Sequence, residues 1–175
     1  MLTFAAIVTR RGLGLFLIAL TVLFGAFAVL PLAAPALAAA GFEGLAQTIF
    51  VGFSVACHQM PERSFFLFGH QVAVCQRELG IYAGLFGASL VYHRMSERMR
   101  PMPLRLYVLA AAPLAIDGLT QMLGMRESDW LLRVATGLLF GASTVWVFFP
   151  RLSETRKEVD IHLAKNLETP RQSVA

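Results

Sequence analysis

LGLFLIALTVLFGAFAVLPLAA, residues 13–34, runs for 22 positions without a charged side chain. As a helix it would extend about 33 Å at 1.5 Å per residue, enough to cross the ~30 Å hydrocarbon core of a bilayer. Arg10 and Arg11 stand before it. A basic start, an apolar core and the A-x-A options in APALAAA (34–40) also describe a cleavable leader. The apolar core is longer than the usual ~7–15 residues of a leader, which favours a retained anchor.

The rest of the chain agrees with a membrane location. Of its 175 residues 57% are hydrophobic and only 15% charged, against about 25% charged in soluble domains. Further apolar runs lie at 79–93, extendable backward to 75, at 106–124 and at 130–149, with a shorter one at 43–56. The net charge of +4 does not indicate nucleic acid, because the basic residues flank apolar runs and no aromatic–basic platform accompanies them.

The distribution of arginine and lysine orients the spans. Arg10 and Arg11, then Arg94, Arg98, Arg100 and Arg105, then Arg151, Arg156, Lys157, Lys165 and Arg171 make up eleven of the fifteen basic residues. Placing all of them in the cytoplasm requires residues 12–94 to leave once and return once. The short segment 43–56 then lies on or dips into the outer leaflet. The expectation is an all-α integral protein of the inner (cytoplasmic) membrane with four transmembrane helices, near 13–34, 75–93, 106–124 and 130–149, and a re-entrant or interfacial helix. Residues 1–150 form one domain and 151–175 a polar cytoplasmic tail. Val159, Leu163 and Leu167 allow a short amphipathic helix in that tail. Gly80, Gly84, Gly137 and Gly141 suit close helix packing.

This topology exposes VACHQMPERSFFLFGHQVAVCQRE (55–78) on the outer side. It holds both cysteines. In an oxidising compartment a Cys57–Cys75 disulfide is the plain reading and would contribute about 3 kcal/mol. A metal site is the alternative, built from Cys57, His58, His70, Cys75 and Glu78, since thiolate, imidazole and carboxylate suit zinc or copper. Thiol redox exchange is a third reading, with Arg77 or His58 activating a thiolate, although no C-x-x-C pair is present. The aromatic run of Phe65, Phe66 and Phe68, just after Arg63, suits an interfacial anchor.

A second polar set lies in the same outer half. Asp117 is embedded in an apolar run with Gln121 one turn on, and such an acid requires a partner. Arg133 on the next span is the expected one, with Arg126 in the joining turn. Together these residues would floor a pocket roofed by the cysteine loop.

Four segments carry a resemblance: CHQMPERSFFLFG (57–69), VCQRELGIYAG (74–84), DGLTQMLGMRES (117–128) and LRVATGLLFG (132–141). They resemble a prokaryotic membrane-protein family catalogued as domain of unknown function 2085. The family pattern reads C-x-R-C-x-G where this chain has Cys75, Arg77, Glu78 and Gly80. Glutamate in place of the third cysteine preserves a metal ligand but not a thiol relay. The resemblance implies a fold and no activity. Three functions follow: a membrane protein with an outer-face zinc or copper site, an accessory subunit of a larger membrane complex with a disulfide staple, and a redox or metal-dependent hydrolytic enzyme. No serine elbow, phosphate loop or dinucleotide fingerprint is present.

Overall fold

The structure is a computed structural model that describes the backbone of residues 2–96 and 98–172, with side chains described for 12–96, 98–155, 158 and 161. Five α-helices and one β-hairpin follow in the order α1 (Leu2–Ala39), α2 (Glu43–Phe53), a 3-10 turn (Pro61–Arg63), β1 (Ser64–Leu67), β2 (His70–Cys75), α3 (Gln76–Met95), α4 (Leu104–Met122) and α5 (Trp130–Gln172). Two stretches are long and apolar enough to cross a membrane, Gly12–Ala39 of α1 and Trp130–Thr155 of α5. Helix α3 lies between α1 and α5, α4 packs on the far side of α5, and α2 and the hairpin pack against α1.

The contact between α3 and α5 is made backbone to backbone. A Cβ added at Gly80, Gly84, Gly137 or Gly141 would come within 3.0 Å of the opposite helix's main chain: Val134 O, Leu138 O, Arg77 O and Ile81 O respectively. The two small-x-x-x-small stripes therefore face each other, as their spacing suggests. Gly87, further along α3, has open space around its Cα.

An all-α fold does not hold. Residues 70–75, expected as part of the outer loop that leads into the span near 75–93, form β2, which pairs antiparallel with β1 in the register Ser64↔Cys75, Phe66↔Gln71 and Leu67↔His70. The turn is the two-residue Phe68–Gly69, with φ of 54° and 80°. Two successive positive φ values match the twist of hairpin strands, a turn usually signalled by Asn-Gly. Phenylalanine in the first position conceals it. Val72, Ala73 and Val74 are buried in succession because α1 and α2 cover the strand, so the period-2 alternation of a half-exposed strand is missing.

Helix α5 runs unbroken through Pro150 to Gln172. Proline has no N–H to give the carbonyl four residues back. Here Met102 N–H takes that place on Trp146 O at 3.4 Å, while Trp146 Nε1 donates to Arg100 O (3.0 Å) and Arg151 to Met102 O (2.7 Å). These bonds fasten the α3–α4 connection to α5. The amphipathic face suggested by Val159, Leu163 and Leu167 lies outside the described side chains.

Gly84→Ala should destabilise the α3–α5 contact by about 1–3 kcal/mol through overpacking. Gly87→Ala, in the same helix, should be neutral or gain up to ~1 kcal/mol of helix propensity. Thermal unfolding of the two variants in detergent compares them directly.

Candidate functional site

At the hairpin end of the bundle the chain leaves α2 and must reverse towards β1. Gln59 makes the reversal with φ of 50°, a conformation unusual for a residue with a side chain. Four hydrogen bonds hold it. Its Nε2 donates to Phe50 O (2.6 Å) and Ala73 O (2.8 Å), its carbonyl accepts from Gln71 Nε2 (2.7 Å), and its N–H points at Cys57 Sγ (3.4 Å). This anchoring fixes Cys57 on the hairpin core, where it is 4% exposed.

Cys75 ends β2 and caps α3, whose first turn carries Glu78. Its backbone N–H donates to Cys57 Sγ at 3.2 Å. The ligand atoms of Cys57, Cys75 and Glu78 all lie within 4.8 Å of one another. Both cysteines are free thiols, so the expected disulfide is absent. In its place stands a sulfur–sulfur–carboxylate cluster beside one cavity.

Burial and shared hydrogen bonding split the two thiols. Donation from the Cys57 thiol pulls Cys75 down to about 6, with help from the N–H groups of Glu78 and Arg77 at the helix start and from the Arg77 charge, against burial. Cys57 is pushed up, first by its hydrogen bond to Cys75 and then by burial. Of the two thiols, Cys75, at the N-terminus of a helix, is therefore the one favoured to ionise.

Among the described residues, neither expected histidine joins that cluster. His58 is exposed and lines the same cavity. His70, exposed at the start of β2, lines a different groove of about 370 Å³ with Glu43 and Gln47 of α2. Alternation along a strand sends His70 and Cys75 to opposite faces, five residues being an odd number.

The acid on α4 has different partners from the expected one. Asp117, 2% exposed, accepts from Arg77 of α3 and, at 2.5 Å, from Arg126 of the α4–α5 turn. Gln121 Oε1 accepts from Arg77 as well (3.1 Å). Arg133, the expected partner, turns instead to Gln76 Oε1 (3.0 Å) and Glu62 O (3.5 Å). Because α3 lies against α5 at glycine distance, Arg77 reaches α4 across the bundle. That rearrangement was hidden in the sequence, which places Arg77 forty residues from Asp117.

The two polar sets share one cavity of about 470 Å³, lined by Cys57, Cys75, Glu78 and His58 and by Arg63, Arg77, Gln121 and Arg133. Sequence reasoning passed over Gln59, Gln71 and Gln76, which hold the loop and the buried arginine. Glutamine in a polar loop carries no signal of that role.

A family model described as a predicted membrane protein, domain of unknown function 2085, matches residues 57–147, which include every site residue named above. The chain belongs to this family. Among curated proteins, an uncharacterized protein of Methanocaldococcus jannaschii is 40% identical over 104 residues, covering 58% of this chain and 67% of that one. An uncharacterized protein of Methanothermobacter thermautotrophicus is 40% identical over 89 residues, covering 51% and 80%. No solved structure matches significantly. The 2085 family is described as one of predicted membrane proteins, and α1 carries exposed apolar side chains such as Leu15, Val22 and Val29.

Two outcomes follow. In chelator, alkylation of Cys75 by iodoacetamide should rise as pH passes about 6, since the thiolate is the nucleophile, while Cys57 stays unmodified under native conditions. Peptide mass spectrometry across a pH series reads both. Asp117→Asn should cost about 3–5 kcal/mol by leaving buried charge unanswered, whereas Arg126→Gln, at an exposed partner, should cost about 0–1 kcal/mol. Denaturant unfolding in micelles checks the order.

Proposed function

We propose that this membrane protein binds one zinc ion, or copper in its place, through Cys57, Cys75 and Glu78 at the outer face. The observation that carries the reading is the convergence of two thiols and a carboxylate within 4.8 Å at a cavity wall. Ligands of a tetrahedral zinc ion lie about 3.5–3.8 Å apart by the usual bond lengths, so the cluster needs a contraction of about 1 Å. Glu78 Oε2 is buried without a hydrogen-bond partner, as a ligand oxygen awaiting a cation would be. The mixed sulfur–oxygen donor set favours zinc over copper(I), which prefers thiolates alone. Three protein ligands leave a fourth position towards the cavity, the arrangement of exchange and catalysis rather than of a closed structural site. His58 at the rim is the nitrogen donor within the cavity lining.

The topology belongs to the same proposal. Helices α3 and α4, 20 and 19 residues long, each extend roughly 30 Å and match the bilayer core alongside α1 and α5. Four spans put Arg94, Arg98, Arg100 and Arg105 at the cytoplasmic end, about 30 Å along α3 from the cysteines, with both termini inside the cytoplasmic membrane. Helix α2 then lies at the outer interface. In this reading lipid covers the exposed faces of α1 and α4, and a larger membrane complex would have to compete for them. An enzymatic role, metal-assisted hydrolysis above all, would use the open fourth position.

Elemental analysis of the purified protein should find one zinc per chain. Cys57→Ser and Cys75→Ser should each abolish it, Glu78→Gln should weaken it roughly 10–100-fold in a competition assay, and His70→Ala should leave it unchanged. Full metal retention in both cysteine variants would sink the proposal.

A further inference from the structure

The lining of the cavity that holds the cysteines is also rich in donors with nothing to donate to. Among the described residues, Arg77 Nε, Arg133 Nε and Gln121 Nε2 are all shielded from solvent and without a hydrogen-bond partner. Arg133 is 7% exposed and Gln121 8%, so neither is relieved by bulk water. All three belong to residues that line the same space, together with Arg63. A buried unpaired donor costs about 1–3 kcal/mol, and more when charged. Three on one wall are a concentrated penalty that a single acceptor-rich ligand would remove.

Charge points the same way. Asp117 answers Arg77 and Arg126 together. Among the described residues no carboxylate pairs with Arg63 or Arg133. The remaining acid of the cavity, Glu78, sits with the sulfurs. The guanidinium wall therefore keeps an unbalanced positive charge beside a small set of neutral donors. Its members come from four places in the chain, namely the 3-10 turn, α3, α4 and α5, so separate elements bring donors to one cavity.

We infer that this wall, formed by Arg63, Arg77, Gln121 and Arg133, is a binding site for a phosphomonoester group. A phosphate offers three acceptor oxygens and a charge of about −1.5 to −2 near neutral pH, which suits donors arriving from several directions. A carboxylate offers two oxygens in one plane and a single charge. The cavity, about 470 Å³, exceeds the needs of a bare phosphate and falls in the range of organic ligands. Met60 and Ile81 give it an apolar border for the organic part. The phosphate group can come from a soluble ester or from a lipid with a phosphomonoester headgroup, and both bring the same chemistry to the arginines. The inference does not depend on the metal.

The test uses the full chain in nanodiscs of phosphatidylcholine. Glycerol 3-phosphate and inorganic phosphate are titrated as soluble probes by calorimetry, short-chain phosphatidic acid as the lipid probe by native mass spectrometry, and succinate as the carboxylate control. Binding of at least one phosphomonoester probe is expected, with succinate weaker, and with a loss of roughly tenfold or more in Arg133→Gln and in Arg63→Gln. Arg63 is half-buried without an ion-pair partner, so its variant folds even where loss of Arg133 disturbs the core. Saturation by glycerol 3-phosphate assigns a soluble ligand, and saturation by phosphatidic acid alone assigns a headgroup. The double variant Cys57→Ser/Cys75→Ser should lose zinc yet keep phosphate binding, which separates failure of the metal reading from failure of this one. No binding of any phosphomonoester, succinate binding as tightly, or unchanged binding in Arg63→Gln would overturn it.

Discussion

The absence of side chains at four glycine positions where α3 meets α5 sets the positions of the groups at the cavity. Four glycines allow the two main chains to touch, and each would lose that contact with a single added carbon. Arg77 lies one turn before Gly80, and Arg133 one turn before Gly137, so the close approach brings their first turns side by side. From there Arg77 can pass over to Asp117 on α4, and Arg133 can reach back to Gln76. Glu78 and Cys75 sit on the same turn as Arg77 and are carried along. Dispersion and close packing, rather than water exclusion, hold such contacts in lipid, because apolar side chains gain nothing by leaving hydrocarbon.

The cavity that results has two chemically distinct walls. Sulfur and carboxylate stand on one, guanidinium and amide on the other, with a neutral loop turned by Gln59 above them. A cation on the first wall and an oxyanion on the second would attract each other, and an oxyanion oxygen could complete the metal's coordination. The proposals therefore stand separately in their evidence and together in their chemistry.

Much of this was legible in the sequence, for identifiable reasons. The two longest apolar helices announce themselves because long, nearly charge-free runs, 13–34 in α1 and 134–150 between Arg133 and Arg151 in α5, have few other uses. The glycine stripes are visible because close approach tolerates so few residue types. Cys57, Cys75 and Glu78 were grouped by chemistry, and the structure gathers them. The hairpin was hidden because Val72, Ala73 and Val74 are covered on both faces, and a short apolar run has no period to read. His70 entered by proximity in sequence, where strand alternation directs it away. The partner of Asp117 was assigned to the neighbouring span, since nothing in a sequence tells which of several arginines a packed bundle will bring across. The disulfide followed from compartment alone, without the geometry that leaves both thiols free.

The pairing of Asp117 with arginines on either side of it along the chain has a consequence for biogenesis. A polypeptide is made from its N-terminus, so Arg77 is in place before Asp117 is synthesised, and Arg126 follows nine residues later. The carboxylate never has to wait for a distant partner. When α4 enters, one counter-charge stands on a helix already delivered, and the other travels in the turn directly behind it. A helix carrying an acid in its apolar stretch is a poor candidate for insertion alone. If α3 and α4 span the bilayer as proposed, its acceptance is tied to correct delivery of α3, and the ion cluster is then a checkpoint on the order of assembly as well as a support for the finished bundle.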